Sequence, residues 1–463
     1  MLKHVQILSY FKRTEEIKTM DKAFITSLKS SGIKFVRILW CDNANIIRGK
    51  AIHIDTLEDN LTHGVGISAA QQAIPVMYDA VVPGAGLGPV GEVRLVPDWS
   101  SFNTLPYAPA QARVMGEMKQ KGKDWPYCPR LFLKKMISEA EKEGFHIKTS
   151  FENEFYLLKT GTEEIIPADY TVFASTQSMD INQHVINEIA ENLIAQGMIV
   201  EQYYPESGPG QQEITIQYTD PLKAADNQIA FRETVRAVAS HHGLKASFLP
   251  KIFLDKAGSG CHIHLSLWKN EKNLVSNSRE AYGLSKIAKS FIAGLLHHLP
   301  ALMAITTPST NSYRRIKPHY WSGAFRCWGV DNREAAVRTI TDPKTNSCKQ
   351  FEFKTSDATA NPYLAMGAVI ASGLDGIRQK MDIPSPVDID PGNLSEEERK
   401  SAGIDKLPVN LGSALEYLTA NRLLLDALGA ELSGAYLAVR RSEWENMTCY
   451  ELADEVELLM EKY

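Results

Sequence analysis

Five glutamates and two histidines lie on four short segments that read as strands, and nothing else in the chain constrains its fold as tightly. They are Glu152 and Glu154 in FENEFYLL, Glu206 and Glu213 in YYPESGPGQQEIT, His262 and His264 in GSGCHIHLSL, and Glu352 in KQFEFKT. Successive strand residues alternate faces, so each pair two residues apart points the same way. Two such carboxylates cannot share a packed interior without a cation to offset them. The pattern therefore predicts one sheet face, lined with acids, that holds divalent metal. Mostly oxygen ligands with a single histidine suit Mg²⁺ or Mn²⁺ rather than zinc. Five carboxylates balance two divalent ions and leave room for a phosphate-bearing ligand, as in two-metal sites that orient phosphoryl transfer. Singly each piece is weak, because an E-x-E on a strand is more often a solvated face and an H-x-H more often structural.

Composition closes off other classes. The 463 residues allow one to three domains, and 44% hydrophobic with 23% charged residues is ordinary for a globular chain. The net charge of −5 offers no basic surplus for nucleic acid. The cysteines Cys41, Cys128, Cys261, Cys327, Cys348 and Cys449 contain no CxxC, which fits a reduced, cytoplasmic protein. No apolar run approaches the ~18 residues of a membrane helix. MLKHVQILSYFKR lacks a signal-peptide core and reads as an amphipathic N-terminal helix within an extension over residues 1–20.

After that extension, DKAFITSLKSS reads as a helix, IKFVRILW and ANIIRGKAIHI as strands joined by a turn at Cys41-Asp42-Asn43. The Gly- and Pro-rich stretch from Asp79 to Pro109 reads as loops around an edge strand, VRLVPDW. A domain boundary is expected near Arg113, giving domains over 21–113 and 114–463. Beyond it, long helices (from Pro129 to about Gly144, then 180–197, 221–242, 280–298 and 361–380) alternate with strands HIKTSFENEFYLL, IVEQYY, QQEITIQ, KASFLPK, GCHIHLSLW and FEFKT. From about Leu407 the chain reads as helices.

At the acidic strands the chain resembles the glutamine synthetase family, of the bacterial type I kind. The resemblance covers nearly the whole chain: KFVRILWCDNANIIRGKAI, EVRLVPDWSSFNTLPYAP, FENEFYL, EQYYPESGPGQQEI, GSGCHIHLSL, TNSYRRIKPHYW, DNREAAVR and FEFKTSDATANPYLA, in that order. It implies an α+β fold with a β-grasp N-terminal domain and a catalytic domain built on a curved antiparallel sheet flanked by helices. ATP would enter one end of a funnel and glutamate the other. Carried over by motif, Glu154, Glu206 and Glu213 would hold one metal, and Glu152, His262 and Glu352 the other. Glu201, His264, Ser266 and Arg338 would contact ATP. Gly258, Arg315 and Lys354 would bind the acid substrate. Arg333 and Arg338 would meet the transferring phosphate, where a planar, permanently charged fork suits two phosphate oxygens. The reaction implied runs through an acyl phosphate that an amine attacks. Type I relatives form two stacked six-membered rings with shared active sites, which would make this chain a homo-oligomer.

Departures from the family pattern bear on the substrate. The flap reads IKPHYW, with Trp321 where the family has a glutamate that helps deprotonate ammonium. GISAAQQ places Ser68 where the family has an ammonium-binding aspartate contributed to the neighbouring subunit. Ammonium needs acceptors and negative charge, whereas an indole offers apolar area and a π face to an organic amine. Family members that join glutamate to organic amines, including polyamines, depart at these places. Lys354 replaces an arginine, Ala257 an asparagine and Gln350 another arginine, so the acid is glutamate or a close relative. Ser395 stands at the adenylylated tyrosine of regulated enzymes, so that control is not expected. Three readings stay open: a glutamate–amine ligase; glutamine synthetase proper using ammonia, with His319 or the metal site as base; and a non-catalytic structural relative.

Overall fold

The computed structural model describes residues 22–463 apart from Glu163 and Asn346. The helix expected in MLKHVQILSYFKR lies outside the described residues. In the N-terminal part, helix Lys22–Ser30 turns Phe24, Ile25 and Leu28 onto a sheet, and Phe24 packs edge-on against Trp99 and Phe102. The strands are Phe35–Cys41 (β1), Ile47–His53 (β2), Val65–Ser68 (β3), Glu92–Thr104 (β4), Gln111–Gln120 (β5) and Lys123–Asp124 (β6). Their order is β2-β1-β5-β4-β3, with β6 paired to β5 and with β1 and β5 parallel.

One expectation changes here. β4 is not an edge strand, because its first residues, Glu92–Leu95, pair with β3 while β5 lies on its other side. Pro97 escapes notice as a breaker because it falls beyond the end of β3, where its missing N–H has no partner to lose. The strand β5 also runs through Arg113, the expected boundary, and stays paired in this sheet.

The second sheet has ten strands: His146–Lys159 (β7), Val200–Pro205 (β8), Gln211–Ile216 (β9), Leu244–Ser247 (β10), Cys261–Lys269 (β11), Lys272–Asn273 (β12), Phe325–Val330 (β13), Ala335–Asp342 (β14), Ser347–Phe353 (β15) and Asp405–Lys406 (β16). Their main order is β16-β13-β14-β15-β11-β7-β9-β8. The pairing is antiparallel except between β13 and β14, which run parallel and which the sequence pattern did not reveal. Together with its helices this makes an α+β fold.

Helices Pro129–Lys142, Thr176–Ala195, Pro221–His241, Lys286–Thr306 and Pro362–Gln379 supply the core behind the sheet. The helix expected over 280–298 begins later and ends later, at Lys286–Thr306, and carries Pro300 inside it. By length and composition it could cross a membrane, yet 72% of its most apolar window is buried within the protein. It packs closely on Pro362–Gln379, since a Cβ on Gly294 would stand 2.3 Å from Ser372 O.

The two sheets are tied together by buried polar contacts. The β1–β2 turn docks on the catalytic part, with Asn45 Nδ2 donating to Ala358 O at 2.9 Å and Asn361 Nδ2 to Asp42 O at 3.0 Å. Arg130, in the first turn of Pro129–Lys142, reaches Asp98 of β4 at 2.8 Å, Glu117 of β5 at 2.7 Å and Asp226 of Pro221–His241 at 2.9 Å. Removing one partner from a buried ionic cluster costs about 3–5 kcal/mol, because the others stay buried and uncompensated. Arg130→Ala should therefore lower the unfolding free energy by about that much in urea titrations. A loss below about 1 kcal/mol would mean that the cluster is screened like a surface pair.

Candidate functional site

The orientation of β7 is set from behind. Phe151, Asn153 and Phe155 are buried on one face, where Phe155 packs with Phe231 and Phe248. Asn153 and Gln228 exchange hydrogen bonds at 2.8 and 2.6 Å. Strand alternation then turns Glu152 and Glu154 to the opposite face.

Register completes the cluster. Glu154 lies opposite Glu213 of β9, Glu152 opposite His262 of β11, and His264 opposite Glu352 of β15, which in turn faces Arg338 of β14. His262 Nδ1 stands 3.0 Å from Glu152 Oε1 and 3.1 Å from Glu352 Oε1, and His264 Nε2 stands 3.0 Å from Glu152 Oε2. Glu154 Oε2 accepts from Gly260 N at 2.9 Å and Gln211 Nε2 at 3.3 Å. Glu206 accepts from Ser207 N, and Glu213 from the Tyr204 hydroxyl.

The charges are unevenly satisfied. Burial resists ionisation of Glu152, but hydrogen bonds from His262 and His264 outweigh it and hold its carboxyl below the ordinary range. Glu352 is likewise buried, yet Lys354 and His262 keep it well below that range. Burial and Lys354 oppose a charge on His262, but its two carboxylate partners prevail and raise its pKa. At Glu206 and Glu213 the opposing contacts are too weak to prevail. Burial and then the neighbouring Glu154 push Glu206 up to about 7. Burial, Glu152 and Glu154 push Glu213 well above a normal carboxyl.

These residues fit divalent cations. Ligand atoms of Glu152, His264 and Glu352, and of Glu152, Glu154 and His262, each lie within 4.8 Å of one another. His262 Nε2 is buried with no hydrogen-bond partner among the described residues, 3.8 Å from Glu154 Oε1, and a cation would give it one. These two groupings cut across the expected division of ligands, because Glu152 belongs to both and Glu206 and Glu213 to neither.

The other expected residues surround this cluster unevenly. Arg338 Nε is ion-paired with Glu352 Oε2 at 2.6 Å, and Lys354 Nζ lies 3.3 Å from Glu352 Oε1. Glu352 is 1% exposed, so it belongs to a buried ionic knot rather than an open acidic wall. Arg315 is wholly buried and donates to the carbonyls of Ser356 and Lys354 at 2.9 and 3.4 Å. Gly258 abuts its stem, since a Cβ there would lie 2.6 Å from Arg315 Cγ. The Ser266 hydroxyl accepts from Trp268 Nε1 at 2.8 Å, and Glu201 is exposed beside Gln217.

Trp321 is 53% exposed, and the Arg333 guanidinium lies over its ring at 5.5 Å. Ser68 is at the end of β3 in the other sheet, where its hydroxyl accepts from Ala70 N. One residue that sequence reasoning passed over is Glu334, whose Oε1 accepts from Trp321 N at 2.9 Å. Its signal was an acid inside DNREAAVR, but the contact joins residues thirteen apart across two loops.

Comparison with known proteins bears on the family and the fold. Residues 22–125 match the family described as glutamine synthetase N-terminal domain, and residues 126–459 the glutamine synthetase catalytic domain. The chain is 36% identical over 465 residues to type-1 glutamine synthetase 1 of Dictyostelium discoideum, covering 95% of this chain and 91% of that protein. It is 34% identical over 424 residues to gamma-glutamylpolyamine synthetase GlnA3 of Streptomyces coelicolor, covering 90% and 91%. Among solved structures, a GmaS/ADP complex superposes with a TM-score of 0.82 at 29% identity, covering 94% of this chain and 98% of that one.

A carboxyl with a raised pKa binds its proton more tightly when folded. It therefore stabilises the protein below the ordinary carboxyl range, and that stability disappears as pH rises through the folded value. The depressed Glu152 and Glu352 stay ionised above pH 5 and leave that window unaffected. The metal-free protein should thus lose stability from about pH 5 to beyond pH 7, through Glu206 and Glu213. A divalent cation competes with those protons, so millimolar Mg²⁺ should raise the melting temperature more at pH 8 than at pH 6. Equal shifts by scanning calorimetry at both pH values would contradict the competition.

Proposed function

Because the chain belongs to the glutamine synthetase family, whose members are ligases that form carbon–nitrogen bonds, we propose that it joins the γ-carboxylate of glutamate, or of a close relative, to an organic amine at the expense of ATP. The observation that carries the reading is the pairing of an intact acidic face with an acceptor end that has lost its acids. Glu152, Glu154, Glu213, His262 and Glu352 are present on strands of the catalytic sheet and Glu206 just past the end of β8, while Ser68 and Trp321 stand where ammonium would need carboxylates. The relative named as a gamma-glutamylpolyamine synthetase supports the same direction.

In this reading Glu154, Glu206 and Glu213 hold one divalent cation and Glu152, His262 and Glu352 the other. Bound Mg²⁺ or Mn²⁺ would neutralise charge on the ATP phosphates and on the attacking carboxylate. The remaining work falls to side chains. In this reading Arg338, ion-paired with Glu352, and Arg333, whose guanidinium lies over the Trp321 ring, meet the phosphate oxygens. Lys354, Arg315 and Gly258 form the acid-substrate end, with Arg315 shaping it through the backbone carbonyls it grips. Glu201, His264 and Ser266 lie toward ATP. A carboxylate oxygen attacks the γ-phosphorus and ADP leaves; the amine nitrogen then attacks the acyl carbon, phosphate leaves and the nitrogen loses a proton. Assembly into two stacked hexameric rings, with the Ser68 loop serving a neighbouring copy, belongs to this proposal.

Pure protein with MgATP and glutamate should release phosphate faster with methylamine, putrescine or spermidine than with ammonium. Ammonium acting as well as any organic amine would establish glutamine synthesis instead, and no release with any acceptor would favour a non-catalytic relative. Glu352→Gln keeps the side chain's shape but removes the charge that organises Arg338, Lys354 and His262. It should cut kcat by at least about 10²-fold, the scale of losing a transition-state charge contact. Unchanged kcat would show that the second cation lies elsewhere.

A further inference from the structure

The loop that carries Trp321 is held in an unfavourable shape. His319 and Trp321 both have positive φ, 66° and 52°, in the left-handed region that bulky residues seldom occupy. Glu334 holds the loop there through its Oε1, which accepts the Trp321 N–H. Its own position is fixed in the turn between β13 and β14. Its N–H donates to Asn332 Oδ1 at 3.0 Å, and Asn332 Nδ2 donates to Val387 O at 2.8 Å and Ile389 O at 3.0 Å.

Anchoring uses only one carboxylate oxygen. Glu334 is 6% exposed, and its Oε2 is buried with no hydrogen-bond partner among the described residues. A buried acceptor without a donor costs about 1–3 kcal/mol, more when charged, so an amide would anchor the same loop at lower cost. Burial also raises its pKa, with Asp390 adding to it, against the backbone N–H groups of Trp321 and His319 and the His319 ring. Nearby cations are engaged elsewhere: His319 Nδ1 is 2.7 Å from Asp390 Oδ2, and Arg333 lies over the Trp321 ring. The molecule therefore keeps a surplus anionic acceptor beside an indole, with the indole's π face already taken by Arg333. The indole edge then offers apolar contact and the carboxylate offers charge, the two requirements of an alkylammonium ion.

We propose that Glu334 is the acceptor-binding carboxylate of this protein, with its Oε2 receiving an N–H of a protonated primary amine whose alkyl arm lies along Trp321. The negative charge missing from position 321 is thereby restored from position 334. This rests on the amine-ligase reading above, and it deepens that reading by assigning the acceptor class: primary alkylammonium ions, including the ends of polyamines.

The test separates charge from anchoring. Glu334→Gln retains an oxygen that can accept from Trp321 N, whereas Glu334→Ala removes anchor and charge together. Calorimetric titration of n-butylammonium and of spermidine into the full chain should give binding to wild type that weakens at least tenfold in Glu334→Gln. Melting temperature and MgATP affinity serve as controls on its fold. In turnover, the KM for the amine should rise in this variant by a similar factor with kcat changed much less. Binding by Glu334→Gln within twofold of wild type would reduce Glu334 to a loop anchor and overturn the inference, as would failure of wild type to bind either amine. Loss of kcat with unchanged KM would overturn it too. Amine binding that depends on Glu334, with no phosphate release for any acceptor, would instead sink the ligase reading and leave this assignment standing.

Discussion

Repulsion among buried carboxylates on one face of the catalytic sheet is the constraint on which the other features depend. Glu152 and Glu352 are held ionised by His262, His264 and Lys354, while Glu206 and Glu213 are pushed toward protonation by burial and by their acidic neighbours. Such an arrangement is poor for folding stability alone, since desolvated like charges oppose one another. It becomes favourable when cations enter, and a fold that keeps it must supply compensating rigidity elsewhere.

That rigidity comes from behind the sheet. The Asn153–Gln228 amide pair and the aromatic group around Phe155 fix which face of β7 is core. Close approach of the helices Lys286–Thr306 and Pro362–Gln379 at Gly294 gives the sheet a dense backing. Arg130 then binds β4, β5 and the helix Pro221–His241 into one ionic cluster, which joins the hydrogen bonds of the β1–β2 turn in tying the N-terminal sheet to the catalytic part.

The two ends of the site follow different logic. In the proposed reading, requirements of charge fix residue types closely at the phosphate end, where the six acidic and histidine ligands of the family are all present. At the acceptor end only a cation-binding environment is required, which different side chains can provide. Trp321, Arg333 and Glu334 form a small assembly in which a guanidinium and a carboxylate from the turn between β13 and β14 meet an indole carried by a strained loop. In the proposed reading the substrate class is decided at this end.

Much of the architecture was legible beforehand because strands alternate: Glu152 with Glu154 and His262 with His264 had to share faces, and the ordered motifs placed them in one family. Local pattern also located β7, β9, β11 and β15, whose apolar backs are regular. It missed β13 and β14, whose parallel pairing depends on strands brought together by the chain's return rather than by a hairpin. It misjudged β4 because whether a proline breaks a sheet depends on the length of the neighbouring strand. Spacing in the chain determined that the acids face one way and therefore that cations are needed. Only the tertiary structure decided that Glu352 is buried among three cationic side chains, and that Glu334 comes to rest against Trp321. Those outcomes depend on cross-strand register and loop packing, which bring together charges that the linear order keeps apart.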